Sequence, residues 1–220
     1  MTLIELYNLA LARIAISKLV TSPTDSKAEV LNVFYPNCRD RVLEEFPWGF
    51  AQRHAALALA ASATDDPVPQ WAGRWAYGFA VPSDAVVVRS VTWPPSVTTA
   101  GSALSPPEEF ESRAGLLRGR IPFELEEDGA GAKLILTNLP DAVAVYTFRQ
   151  TDVTRFPPSF ASALAWLLAS EVAAALSLSD GVREKAVREY ESALSRATAN
   201  DANHRQDAPE PDSEFVTARR

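Results

Sequence analysis

"EEFPWGFAQR", residues 44–53, is where this chain changes character. Before it, apolar residues recur at helical spacing; after it, they gather in short β-rich runs. Two carboxylates close the helical pattern, Pro47 stops it, and Trp48 and Phe50 follow at once. The two aromatics are expected to fold back as core pins at a junction. A partner-facing aromatic patch is the competing reading, because interfaces favour Trp and Phe.

Upstream, Thr2 and Glu5 have the spacing of a capping box, and Leu3, Leu6, Tyr7, Ala10 and Ile14 follow on one helical face. Ser22-Pro23 reads as an N-cap with proline at the first helical position. The second helix then runs to Phe46 through Val30, Val33, Phe34, Cys38, Val42 and Leu43. Pro36 interrupts it and is expected to kink it.

Downstream, "QRHAALALAAS" is compatible with helix by propensity and with strand by its Leu57/Leu59 alternation; the extended reading is preferred. "RWAYGFAVP", "AVVVRSVTW" and "VAVYTFRQT" are β-rich, and "PFELEED" and "KLILTN" flank "GAGA" as a hairpin. Pro94 to Gly119 reads as a loop with a short turn at Glu108–Arg113. Helix returns after "RFPPSF" and stays apolar to Leu178. Ser179 or Asp180 caps a last helix with Val182, Ala186, Val187, Tyr190, Ala193, Leu194 and Ala197 inward, and Glu184 and Arg188 pair on its outer side. From Asp201 the periodicity is lost, and residues 201–220 read as an extended arm.

The expected fold is therefore mainly α with a β insertion: a four-helix bundle (1–50 and 157–200), a small antiparallel β domain (51–156) and the C-terminal arm (201–220).

Net charge is −7 and the pI about 5.0, which argues against free nucleic acid as a direct ligand. The single cysteine, Cys38, excludes an internal disulfide and any multi-cysteine metal site, and reads as buried filler. "MTLIELYN" has no basic n-region, so no signal peptide is expected. "FASALAWLLASEVAAALSL" has the length to cross a bilayer, but Glu171 and three serines favour a helix buried in protein, and no membrane is expected as a partner. Glu171 is costly on an apolar helix unless paired, with Arg39 or Arg41 as the expected partner.

His54 and His204 are the only histidines, and neither has a catalytic neighbour in sequence. "DGAGAK" lacks the second half of a phosphate loop and reads as a turn; "ELEED" lacks the ligand spacing of a calcium loop. No catalytic residue, cofactor or metal is expected.

Four segments together resemble one family: "NCRDRVLEEFPWGFAQRHAAL", "WAYGFAVPSDAVVVRSV", "YTFRQTDVTRFPPSFASALAWLLASEVAAAL" and "YESALSRATANDAN". In this order they are similar to the phage head–tail adaptor (connector) proteins, the group that includes tail tubular protein A of short-tailed phages and adaptors of long-tailed phages and gene transfer agents. The likeness spans about Met1 to Asn203; "PWGFA", "VPSD", "FPPSFASALAW" and "DAN" are its most specific parts. It implies a virion structural protein of the neck, in the host cytoplasm before assembly, that forms a ring of about twelve copies under the portal. The ring would extend the channel through which double-stranded DNA passes and would dock the next neck or tail protein, a stopper or a tail tube or nozzle component. It also implies a C-terminal arm reaching the portal, and the composition of residues 201–220 offers the means: Phe215 and Val216 as an apolar anchor, and Arg219 and Arg220 to meet acidic groups. A non-viral helical interaction module and a small enzyme using only carboxylates and arginines are the other readings.

Overall fold

Residues 1–16, 19–94, 121–176 and 178–204 are described by the computed structural model. The chain forms two compact units, Met1–Tyr35 with Phe156–Arg220, and Pro36–Arg155.

The first unit is helical. Helix α1 (Leu3–Arg13) opens on the expected capping box: Thr2 Oγ1 accepts from the Glu5 amide at 3.2 Å, and the Glu5 carboxylate accepts from the Thr2 amide at 2.8 Å. Helix α2 (Ser26–Glu45) starts later than Pro23, because the Ser22 hydroxyl accepts the Thr24 amide in a preceding turn. Asp25 then stands before the helix, its carbonyl accepting from Glu29 and its carboxylate from Lys27. Only the portion of α2 up to Tyr35 belongs to this unit; the helix continues through Pro36 into the other.

Helix α3 (Pro158–Ala175) begins with Pro158 at its first turn, where a missing amide costs nothing. It packs against α1 and α4 (Asp180–Asn203) and is buried around much of its circumference, from Phe160 to Ala173. By length and composition α3 is apolar enough to cross a membrane, and 61% of it is buried within the protein. Helix α4 buries a single stripe, Ala186, Tyr190, Ala193 and Ala197, whereas Val187, expected inward, is 39% exposed. Asp201 to Asn203, assigned from sequence to the arm, are its last helical residues.

The second unit combines the end of α2 with two antiparallel sheets. One has the order β1 (Gln52–Ala56), β7 (Val143–Phe148), β4 (Ala85–Thr92). The other has the order β2 (Leu59–Ser62), β3 (Tyr77–Ala80), β6 (Lys133–Thr137), β5 (Glu124–Glu127). "QRHAALALAAS" is extended, as preferred, but it serves both sheets: β1 ends at Ala56 and β2 begins at Leu59. Central strand β7 is buried at every residue. In the four-stranded sheet, Leu59, Phe79, Ile135 and Leu125 stand in one register row; the central pair is buried and the edge leucines are exposed. The opposite face carries Leu134 and Leu136 under Trp75 and Trp71. Gly78 is required there, because a Cβ would lie 2.8 Å from the Trp71 ring. The β5–β6 turn needs Gly131 at φ +82°, with Asp128 accepting the amides of Ala130, Gly131 and Ala132.

The expected four-helix bundle with a small β domain is thus corrected. Helix, short 3-10 turns included, makes up 47% and strand 21% of the described residues; with four α-helices and seven strands this is a mixed α and β fold. The reason is physical. Alternation in sequence identifies strands but not their partners, so it conceals that seven strands build two sheets. It also conceals that the end of α2 is committed to those sheets. The expected loop from Pro94 to Gly119 falls almost wholly at residues 95–120, outside the described residues.

Candidate functional site

The densest polar geometry among the described residues lies where α2 ends on the β1-β7-β4 sheet. A helix terminus leaves its last carbonyls without intrahelical donors. Here those carbonyls are met by side chains. Trp48, 1% exposed, donates its indole Nε1–H to the Val42 carbonyl at 2.7 Å. Arg89 Nη2 donates to the carbonyls of Leu43 (3.1 Å), Glu44 (2.7 Å) and Phe46 (3.0 Å). Arg89 Nε donates to Thr147 Oγ1 on β7 at 3.0 Å.

A shift of register between Val88 and Ser90 places Arg89 at a bulge in β4, which re-aims its side chain at the helix end. Its cation also faces the negative end of the helix dipole. Burial lowers the Arg89 pKa and the Glu44 carboxylate opposes that shift.

Pro47 and Phe50 belong to the same joint. Pro47 follows α2, half-buried, and Phe50 sits in a 3-10 turn, Gly49–Ala51, with its ring tilted 6.2 Å from Trp48. Phe46 meets Trp48 edge-on at 5.3 Å. Phe46 and Phe50 therefore pack edge-on and tilted around one buried indole.

Two ion clusters flank this joint. Asp84, from "VPSD", accepts from Arg53 at 2.6 Å and from the Tyr146 hydroxyl at 3.0 Å, while its carbonyl accepts from the Arg149 amide at 2.7 Å. Arg53 also lies 3.6 Å above the Phe148 ring. Asp40 accepts from Arg39 and Arg149, each at 2.8 Å. Burial raises the Tyr146 pKa, and the hydrogen bond and charge of Asp84 add to it, so the phenol stays protonated at neutral pH. These are fixed, mutually satisfied charges. No group of three or more His, Cys, Asp or Glu with metal-binding geometry occurs among the described residues.

His54 is exposed on β1, 3.5 Å from Gln52 Nε2. Cys38 is buried on α2. Glu171 is half-buried on α3. Phe215, Val216, Arg219 and Arg220 lie outside the described residues. Sequence reasoning missed Arg89, Asp84 and Asp40. The signal for Arg89 was present, since a lone cation inside "AVVVRSVTW" needs a partner. No family model and no curated protein matches the chain.

Proposed function

We propose that this protein is a virion structural protein, a head–tail adaptor that forms a ring under the portal. The observation that carries this reading is the cumulative resemblance of four segments in order, from about Met1 to Asn203. The places those segments occupy support it. "PWGFA" carries the indole that meets the end of α2, "VPSD" carries Asp84, "FPPSFASALAW" opens α3, and "DAN" ends α4. Each is a joint of the chain, where substitution disturbs backbone hydrogen bonding or packing and not merely a surface.

In this role the partners are the portal, the next neck or tail protein and further copies of the chain, with double-stranded DNA only passing through. The net charge of −7 suits a channel lining, because a surface that held phosphates strongly would slow the duplex. The test is to mix the purified protein with portal assemblies from the same genome and image them. Added ring density on the portal, absent from particles lacking this chain, is the expected result. Particles of normal infectivity or transducing activity without the chain would overturn the reading.

A further inference from the structure

The cleft between β4 and β5 is built like an acceptor for a strand. Both are end strands of their sheets. Among the described residues, the outer edge of β4 is paired only through the Val91–Ile121 bridge, and β5 pairs only with β6. The open space between them measures about 270 Å³ and is lined by Val86, Val88, Leu125, Glu126, Glu127 and Lys133. Leu125 is 52% exposed, and Glu126 and Glu127 are exposed beside it. Such an edge offers unpaired amides and carbonyls to a further strand, and its flanking side chains select which one.

We infer that this cleft takes the C-terminal segment of a second copy of the chain, with Thr217–Arg220 lying parallel to Glu124–Glu127. The sequence of that segment supplies the complement. Laterally adjacent residues of a sheet share a face, so this register sets Ala218 beside Leu125, Arg219 beside Glu126 and Arg220 beside Glu127. The antiparallel register with the same ends would set Ala218 beside Glu126 and Arg219 beside Leu125, leaving one ion pair, Arg220 beside Glu124, whose carboxylate is already engaged by Trp75 and Arg74. Val216 shares the face of Ala218, and Phe215 precedes it as the apolar lead.

Helix α4 ends at Asn203, and residues 205–220 extended span roughly 50 Å. The inference stands on the cleft and the segment alone, whatever assembly the copies build. Strand donation of this kind closes as a reciprocally swapped dimer or as a larger ring, or continues as a filament.

The experiment is cross-linking between two populations in a Cys38→Ala background, one carrying Leu125→Cys and the other Ala218→Cys. Mild oxidation of the mixture is expected to give a disulfide-linked heterodimer whose yield rises with protein concentration. Glu126→Lys with Glu127→Lys in the first population lowers the yield at least about tenfold, because like charges then face each other. Arg219→Glu with Arg220→Glu in the second population restores it. Absence of the heterodimer overturns the inference, and so does a yield indifferent to charge reversal or not rescued by the swap. A cross-link confined to single chains carrying both cysteines overturns exchange between copies.

Amide exchange on the chain with its native cysteine supplies a second measurement. Ending the chain at His204 is expected to remove protection from Val86, Val88 and Leu125–Glu127 at high protein concentration. Unchanged protection overturns the inference, as does protection that depends on the C-terminal segment and appears only when portal protein is added.

Discussion

Arg89 concentrates more structure in one side chain than any other residue described. It spans a bulge of β4, a hydroxyl of β7 and three carbonyls at the end of α2. Arg89→Leu is expected to cost about 1–2 kcal/mol in chemical denaturation, since charge-assisted hydrogen bonds to partly buried and exposed carbonyls are lost and water can replace only some of them. Arg89→Lys should recover less than half of that, because an ammonium cannot fork between Thr147 and the helix end. Tyr7 makes a different test. Its hydroxyl donates to Asn32 at 2.6 Å, its ring meets Tyr35, and burial, with Tyr35 adding to it, pushes its pKa up to about 12. A pKa raised in the folded state means stabilisation that is complete below pH 10 and is lost as pH climbs from 10 through 12. The melting temperature should therefore fall across that window, and the tyrosinate absorbance of Tyr7→Phe should lack a late-titrating component seen in the parent protein.

At the level of elements, strands β3 and β6 depend on one close approach. Trp71 lies against Gly78, and Trp75 covers Leu134 and Leu136 while donating to Glu124 at 3.0 Å. Gly78→Ala inserts a methyl 2.8 Å from the Trp71 ring and 3.3 Å from Leu136, so the indole must swing outward. About 1–2 kcal/mol of destabilisation is expected, with a red-shifted tryptophan emission. An unchanged spectrum would mean that the ring does not rest on this glycine. Helix α3 behaves otherwise. Its buried Ser170 donates to the Leu167 carbonyl at 2.7 Å, and Arg13 holds the Ser162 carbonyl and hydroxyl while lying 4.3 Å over the Trp166 ring. Ser170 and Ser162 in this apolar helix are thus satisfied locally or by α1, which was visible in sequence only as dilution of hydrophobicity.

For the whole molecule, two units share one continuous helix, because α2 passes from the first to the second at Pro36. The C-terminal residues beyond α4 add no helical or strand periodicity in sequence. Ending the chain at His204 should therefore leave the far-ultraviolet circular dichroism per residue and the melting temperature within experimental scatter. If copies exchange this segment, the full chain should associate with rising concentration by light scattering and the same variant should not. Association retained at equal strength would place the contact between copies elsewhere. A fall in helix content would show instead that the segment supports α4.

The sequence by itself determined the local structure wherever one residue type admits a single physical solution. The Thr2–Glu5 box set the start of α1, Pro158 the start of α3, and the hairpin around Gly131 the β5–β6 pairing. The apolar run of β7 marked a strand with few polar groups to expose. What the tertiary structure alone decided was partnership. Backbone pairing is long-range and blind to residue identity, so "QRHAALALAAS" could not disclose that it serves two sheets. Orphan carbonyls at a helix end can be met from anywhere, so nothing near Glu44 announced that Arg89 would meet them. The fold was misjudged for that reason. Periodicity reports which face of an element is apolar, whereas the cover for that face is chosen by packing across the chain.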